Sequence, residues 1–230
     1  MSRGRRWLVS IAVVAAVAGL VAVAYFTPLM SVRAVSVAGV TPRSGLTVDE
    51  VRAKAHVPQG RPLLQVNTAD AARRVASISA VETARVRRQY PSTVEVIVVE
   101  RTPVARVETE KATHVLDRLG VPFRHYDRGV KLPPDVRGLP LLSTPNAGPG
   151  DPATRAGLRV VTELPPDLRA SVATVEADSP VDITLSLKNG TTVVWGDATR
   201  TEDKALAWRA ISTRRGTLYN VSSPDLPSYR

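Results

Sequence analysis

The sequence lacks cysteine altogether and contains few aromatic residues and only three histidines. Without cysteine the chain can form neither disulfide bonds nor thiolate metal sites, although an oxidising compartment is not excluded. His56, His114 and His125 are scattered and share no metal-ligand spacing. Aromatic residues make up 4% and hydrophobic residues 43% of the 230 residues, so a core must consist mainly of Val, Ala and Leu. A chain of this length forms one large or two small domains.

The motifs of common enzyme classes are also missing. The sequence contains none of the patterns G-x-S-x-G, H-E-x-x-H, G-x-x-x-x-G-K and G-x-G-x-x-G. Gly148 and Gly150 lie between prolines with no strand before them, which does not suit a phosphate-binding loop. Glu108 and Glu110 fall on a predicted turn and are interpreted as solvated. We therefore predict that the chain is not an enzyme and has no catalytic residue, cofactor, metal or small-molecule substrate.

Positive charge is in excess. The net charge is +10, and the first six residues supply three arginines and no acidic residue. Such a balance suits attraction to an anionic membrane or polymer surface. It would also suit nucleic acid, but there is no helix-turn-helix, aromatic stacking motif or zinc knuckle. We predict no nucleic-acid partner.

One long hydrophobic run follows the basic residues. Residues 7–26, WLVSIAVVAAVAGLVAVAYF, carry no charge and as a helix would span about 30 Å, the thickness of a bilayer core. Arg3, Arg5 and Arg6 should hold residues 1–6 in the cytoplasm and place everything after Phe26 outside. The alternative is a signal peptide cleaved at Ala22-Val23-Ala24, but the run exceeds the roughly 7–15 residues of a signal core. We predict a retained, single-pass type II anchor in the cell membrane.

The next seventy residues predict the order strand, helix, helix, strand, strand. Alternating valines indicate the first strand, within residues 31–40. Thr47 and Glu50 form a capping box for a helix that ends near Ala55, and Asn67 and Thr68 can cap the second helix. "VETARVRRQY" and "VEVIVVE" predict the last two strands. The second of these is apolar on both faces, which indicates a central strand covered by the helices and by a neighbouring domain or a partner.

Beyond residue 102 the pattern changes to a β-rich module. Residues 104–117 predict two strands, and residues 132–152 form a long proline-rich crossing. Asn189-Gly190 predicts a type I′ hairpin turn, and residues 218–222 predict a final strand that ends before Pro224. Helix starts are predicted at Asp151-Pro152 and at a capping box of Thr199 and Glu202. The predicted fold class is therefore α+β, with packed helices in a mixed β-rich second module.

Several stretches in this order resemble the bacterial cell-division family FtsQ/DivIB. They are "VPQGRPLLQVN", "ARVRRQYPSTVEVIVVERTPVA", "VLDRLGVPF" and "YNVSSPDLP". The resemblance implies a cytoplasmic tail (residues 1–6), a transmembrane helix (7–26), a POTRA domain with a juxtamembrane segment (27–101), a β domain (102–223) and a C-terminal tail (224–230). The six-residue cytoplasmic tail is short for the family. We expect either that contacts made by a longer tail are absent or that the true start lies upstream of Met1.

The resemblance also implies a function. Family members are non-enzymatic divisome scaffolds that bind the membrane proteins FtsL and FtsB/DivIC and help control septal peptidoglycan synthesis, with the septal synthase complex as a further candidate partner. Binding is expected by strand addition to an open edge of the last strand, and the protein is expected to concentrate at the division septum. Carried onto this chain, the partner-binding residues are Tyr219, Asn220, Val221, Ser222 and Ser223.

The role of one arginine cluster is undecided from the sequence, and two other function classes remain as alternatives. Arg85, Arg87 and Arg88 are either a solvated strand face or a second partner surface for an acidic protein or a lipid headgroup. A secreted or membrane-anchored cell-wall enzyme would need a site assembled from residues that match no motif. A protein that binds anionic surfaces would use its positive charge and would show steep salt dependence.

Overall fold

The structure is a computed structural model that describes residues 3–26, 30–41 and 45–230. Residues 1 and 2 of the predicted tail and residues 27–29 of the predicted juxtamembrane segment lie outside this described part. The contacts divide the chain into two compact units, Met1–Glu100 and Arg101–Arg230. The fold class is mixed α+β, with an αβ first unit and a β-rich second unit.

The first unit contains the predicted order of two helices and three strands after an N-terminal helix. Its sheet has the order β1-β3-β2, in which β1 runs parallel and β2 antiparallel to the central β3. The helices are α1 (Arg3–Phe26), α2 (Val48–Ala55) and α3 (Thr68–Ala76), and the strands are β1 (Ala34–Ala38), β2 (Val81–Gln89) and β3 (Thr93–Glu100).

Local capping and apolar alternation explain these elements. The Thr47 hydroxyl accepts a hydrogen bond from the Glu50 amide at 3.1 Å, and the Asn67 side-chain oxygen accepts one from Asp70 at 3.1 Å. The predicted caps at Thr47 and Asn67 are confirmed, whereas Thr68 is the first residue of α3 and not its cap. Three valines of β3 (94, 96 and 98) are buried in the core with α2 and α3. On the other face Ile97 is half-buried and Val99 is 51% exposed, so the second cover predicted for β3 is incomplete in the described part of this unit.

Helix α1 contains the hydrophobic run of residues 7–26. Trp7, Ile11 and Val14 expose more than half of their surface, and the Gln65 side chain donates a hydrogen bond to the carbonyl of Tyr25 at 2.8 Å. Within the described residues, we find no helix that is both long and apolar enough to cross a membrane. The anchor stays a prediction.

The second unit is built on a nine-stranded sheet of the order β12-β11-β10-β9-β8-β7-β4-β5-β6. Its strands are β4 (Ala105–Glu108), β5 (Ala112–Leu116), β6 (Pro122–Asp127), β7 (Leu141–Ser143), β8 (Val172–Ser179), β9 (Asp182–Leu187), β10 (Thr192–Gly196), β11 (Leu218–Asn220) and β12 (Ser228–Tyr229). Its helices are α4 (Pro134–Arg137), α5 (Pro152–Glu163), α6 (Pro166–Ser171) and α7 (Thr201–Ile211). The main core contains Trp195, which is fully buried, with aliphatic residues from α5 and from β8 to β10.

Two local predictions in this unit are wrong. Thr199 does not cap α7, because its amide and hydroxyl bond to the Asp197 carboxylate and the helix starts after Arg200, which has a left-handed backbone (φ 52°). The β9–β10 turn is not type I′. Asn189 is absent from the residues with positive φ, whereas Gly190 has φ 86° and donates to the Leu187 carbonyl at 3.0 Å. This geometry is a type I turn followed by a left-handed glycine.

Candidate partner-binding site at the sheet edge

The predicted site centres on β11, which lies second from one edge of the nine-stranded sheet. β11 runs parallel to β10, and the Val221 amide that follows it donates to the Val194 carbonyl at 3.0 Å. Tyr219 is 3% exposed and Val221 is fully buried. Because backbone groups alternate in direction along a strand, the amides of Leu218 and Asn220 point away from β10.

The outward side of β11 is not open, which corrects the expectation of a free edge at the last strand. β12 pairs with it antiparallel, with Tyr219 opposite Tyr229 and Asn220 opposite Ser228. Leu218 and Arg230 exchange two backbone hydrogen bonds, of 2.9 and 3.1 Å. The chain can return because it turns after Ser222, where the Leu226 amide bonds to the Ser223 carbonyl at 3.1 Å. We call residues 224–230 the C-terminal strap.

Aromatic contacts link the strap to the core. The rings of Tyr219 and Tyr229 stack at a centroid distance of 6.1 Å, and Trp208 meets Tyr219 edge-on at 5.0 Å. The Tyr219 hydroxyl donates to the Arg214 carbonyl at 2.7 Å. Yet the strap itself buries little, since Leu226 is 84% and Tyr229 45% exposed. Tyr219 therefore belongs to the core, and the strap lies over it as an outer layer.

An ion pair provides the other tie. The guanidinium of Arg200 binds both carboxylate oxygens of Asp225, at 2.7 and 2.9 Å, and its Nε donates to Asp203 at 2.9 Å. Hydrogen bonding to Asp225, then to Asp203, raises the pKa of Arg200, and the same bond lowers the pKa of Asp225. Both partners keep their charges at neutral pH, so the strap is held electrostatically at the start of α7.

The five predicted partner-binding residues thus fall into two groups. Tyr219 and Val221 are core residues. Asn220, Ser222 and Ser223 lie at the surface, where the Asn220 side-chain oxygen accepts bonds from the Ser222 amide (3.0 Å) and hydroxyl (2.7 Å). Sequence reasoning missed β12 and the Arg200–Asp225 pair. Whether these five residues bind a partner stays a prediction.

Comparison with known proteins covers both units. The family described as "POTRA domain, FtsQ-type" matches residues 30–101, and "Cell division protein FtsQ/DivIB, C-terminal" matches residues 105–221. Cell division protein FtsQ of Mycolicibacterium smegmatis is 45% identical over 224 residues, which is 97% of this chain and 64% of that protein. FtsQ of Mycobacteroides abscessus is 43% identical over 229 residues, 99% of this chain and 71% of that protein.

The chain belongs to the FtsQ/DivIB family of cell-division proteins. The first unit therefore contains a POTRA domain of the FtsQ type, and the second contains the C-terminal domain of the family. The chain spans slightly less than two thirds of the M. smegmatis relative. FtsQ of Mycobacterium tuberculosis H37Rv, at 40% identity over 229 residues, supports the same assignment.

The family-like motif "ERTPVA" has a structural role within each unit. Glu100 accepts hydrogen bonds from the Thr41 amide (2.8 Å) and hydroxyl (2.6 Å), which fixes the end of β3. Arg101 pairs with the fully buried Asp117. Asp117 also accepts bonds from the amides of Leu119 (2.9 Å) and Val121 (2.8 Å), which shape the turn in "VLDRLGVPF". Both motifs therefore stabilise the fold of their units.

The arginine cluster is divided between two faces of the first sheet. Arg85 and Arg87 lie on the exposed face, where Arg87 pairs with Glu95. Arg88 points the other way and donates to the carbonyls of Leu63 (2.7 Å) and Val66 (2.8 Å). Side chains of successive strand residues point to opposite faces, so Arg88 is a structural residue and is removed from the predicted second surface.

We find no group of three or more His, Asp or Glu side chains that could hold a metal ion within residues 3–26, 30–41 and 45–230. His114 and His125 do lie across from each other on β5 and β6, with ring centroids 6.5 Å apart. Two imidazoles alone do not complete a protein zinc site, which takes at least three protein ligands.

Proposed function

We propose that the chain is a non-enzymatic, bitopic membrane scaffold of the bacterial divisome that binds FtsB/DivIC and FtsL and helps control septal peptidoglycan synthesis. The observation that carries this proposal is the match of both units to domains of the FtsQ/DivIB family. The proposed layout is a cytoplasmic tail (1–6), an anchor (7–26), a POTRA domain (27–101), a β domain (102–223) and a C-terminal tail (224–230).

The anchor is part of the proposal. It is supported by the absence of charge in residues 7–26, by their helical conformation, and by the exposed apolar side chains of Trp7, Ile11 and Val14. Exposed residues of this kind are costly in water and favourable in lipid. With three arginines before the run, the N-terminus would face the cytoplasm and the two units would lie outside it.

Partner binding is proposed at the outward side of β11, by addition of an extended strand from FtsB/DivIC or FtsL. Main-chain groups of Leu218 and Asn220 would bond to that strand, and the surface residues Ser222 and Ser223 would flank it. Arg85 and Arg87 are proposed as a second contact surface on the POTRA sheet, where they lie opposite Ile97 and Glu95 of β3.

The strand-addition site is tested with a proline that removes one outward backbone donor. Val221→Pro is unsuitable, because the Val221 amide bonds inward to Val194 and the residue is buried. Leu218→Pro removes an outward amide, and Leu218→Ala is the matched control because it keeps that amide. We expect the full-length proline variant to lose capture of co-expressed FtsB/DivIC–FtsL ectodomains while the alanine variant retains it. Equal capture by the two variants would place the site elsewhere.

The division role is tested separately with a fluorescent fusion in dividing cells. A band at midcell supports the scaffold, whereas a uniform signal around the envelope contradicts it. Peptidoglycan hydrolysis by the purified chain would contradict the non-enzymatic part of the proposal.

A further inference from the structure

The outward side of β11 is already occupied by the chain itself. We propose that the C-terminal strap, residues 224–230, is a displaceable placeholder that a partner strand must replace before it can pair with β11. This inference rests on the proposed function, because it concerns the regulation of the same site. The partner is an extended polypeptide segment whose side chains can take over the two contacts that hold the strap.

The backbone of the strap already satisfies the groups that an incoming strand would use. The Arg230 amide donates to the Leu218 carbonyl at 2.9 Å, and the Arg230 carbonyl accepts from the amides of Thr217 (2.8 Å) and Leu218 (3.1 Å). Asn220 is paired in register with Ser228. A second strand cannot form these bonds while the strap is in place, since β11 is also bonded along β10 on its other side.

The strap is nevertheless held weakly for a sheet strand. β12 is two residues long, and both of these residues are exposed. Leu226 is 84% exposed, so the strap contributes little apolar burial. Its ion pair is also open to water, with the Arg200 and Asp225 side chains 48% and 73% exposed. Segments with few buried apolar contacts and exposed hydrogen bonds open locally at low free-energy cost.

The strap pairs with only part of the available edge of β11. The turn after Ser222, in which the Leu226 amide donates to the Ser223 carbonyl at 3.1 Å, carries the chain away from the sheet, so pairing stops at Ser228. A partner strand without this turn could continue the ladder past Asn220 towards Ser222. Its additional backbone bonds would favour exchange of the strap for the partner.

The contacts of the strap define the chemistry of that partner. An aromatic or large aliphatic side chain is required opposite Tyr219, where Tyr229 now stacks. An acidic side chain is required near Arg200, where Asp225 now forms two hydrogen bonds. We therefore expect the exchanging segment to be extended and free of proline, and to carry one acidic residue and one large apolar residue.

The first experiment releases the strap in the full-length protein. Asp225→Asn removes one carboxylate from Arg200 and loosens the strap, whereas Asp203→Asn removes the other carboxylate and leaves the strap untouched. If the strap is closed in nine of ten molecules, its complete release by deletion of residues 224–230 raises partner affinity about tenfold, because apparent affinity scales with the competent fraction. We expect the protein without residues 224–230 to bind the FtsB/DivIC–FtsL ectodomains most tightly and Asp225→Asn to bind them less tightly. Asp203→Asn and the wild type should bind equally and most weakly.

The second experiment fixes the strap to β11 with a disulfide. It does not require that the protein without residues 224–230 folds well. Asn220 and Ser228 are opposite residues of an antiparallel pair, about 5.5 Å apart at the Cα atoms, which a disulfide can bridge. Because the chain has no cysteine, the double variant Asn220→Cys/Ser228→Cys can form only this bond within one molecule. We expect the oxidised protein to lose at least tenfold in partner affinity and to regain it on reduction. Each single cysteine variant controls for loss of the native side chain.

The possible outcomes distinguish a failure of the placeholder proposal from a failure of the proposed function. Equal affinity of the oxidised and reduced double variant would overturn the placeholder and leave the proposed partner binding intact. Tighter binding by the oxidised form, with loss on deletion, would make the strap itself the docking strand and would also overturn it. No capture by wild type, by the reduced variant or by the deleted protein would refute the proposed function itself.

Discussion

Lys204 and Asp197 form an asymmetric ion pair at the base of the candidate site. The Lys204 ammonium donates to the Asp197 carboxylate at 2.6 Å and to the Asp197 carbonyl at 2.9 Å. The Lys204 side chain is only 2% exposed, whereas that of Asp197 is 41% exposed. The pair fixes the first turn of α7 to the end of β10, and so positions Arg200 for its bond to the strap. Removing Asp197 should therefore reduce the free energy of unfolding much more than removing Lys204.

The loss of stability in each variant depends on whether the charge that remains is buried or exposed. Asp197→Ala leaves the buried ammonium with one backbone carbonyl, and an uncompensated buried charge typically costs about 3–5 kcal/mol. We expect a loss near the lower limit, about 3 kcal/mol in the free energy of unfolding, because that carbonyl bond persists. Lys204→Met fills the same space with an apolar chain and returns Asp197 to water. Replacing a buried pair in this way is often neutral, so we expect a change below about 1 kcal/mol.

Urea unfolding followed by tryptophan fluorescence measures both variants. Trp195 and Trp208 lie in the second unit, and Trp195 is fully buried, so the change in emission reports on that unit. Asp197→Asn is the matched control, because its amide oxygen can still accept from the ammonium. Equal losses for Asp197→Ala and Lys204→Met, or a larger loss for Lys204→Met, would refute the reasoning.

The same pair predicts a pH dependence with a definite sign. Hydrogen bonding to Lys204, then to Thr199, lowers the pKa of Asp197 from 3.8 to about 2. A carboxylate whose pKa is lower in the folded protein stabilises it above the unfolded pKa, and this contribution is lost as pH falls towards the folded value. We expect the stability difference between wild type and Asp197→Asn to be constant above about pH 5 and to shrink between about pH 4 and pH 2. A difference that grows as the pH falls would contradict the assignment.

Two further predictions concern the POTRA unit. Gly39→Ala should destabilise it by at least about 2 kcal/mol, because φ is +90° and an added Cβ would lie 1.9 Å from the Val98 carbonyl oxygen. Gly45→Ala, also at positive φ but with nothing within 4 Å, should cost about 1 kcal/mol, and amide hydrogen exchange in α2 and β3 distinguishes the two. Arg88→Met should cost about 2 kcal/mol because the carbonyls of Leu63 and Val66 lose a charged donor, whereas the exposed Arg87→Met should leave the thermal unfolding midpoint unchanged. Equal effects of the two arginine variants would contradict the division of the cluster between two faces.

Local chemistry explains which parts of the fold could be predicted from the sequence. The caps at Thr47, Asn67 and Asp151 depend on residues within three positions of each other, and all three are present in the structure. The central position of β3 followed from apolar residues on both of its faces. The capping box at Thr199 was wrong because Asp197 competes for the same hydroxyl and amide, and residue spacing does not reveal that competition.

Non-local pairing explains what could not be predicted. β12 has two residues between Pro227 and the last residue, which is too short for any alternation to appear, and its existence depends on a backbone edge supplied by β11. The arginine cluster is a different case, because the sequence pattern itself separates its members. Alternation along β2 places Arg85 and Arg87 on one face, and the same period of two puts Arg88 on the face of Val86.

The family motifs act through side chains, whereas the groups proposed to bind a partner belong to the main chain of β11. Arg101, Asp117 and Glu100 form charged hydrogen bonds inside their own units. Strand addition instead uses main-chain groups, which any sequence supplies, and selectivity must come from the few side chains beside them. At β11 those side chains now contact the strap, so selectivity and autoinhibition would depend on the same contacts with Tyr219 and Arg200. A substitution that strengthens the strap should therefore weaken every partner, whereas one that alters only an exposed serine beside β11 should change the preference among partners.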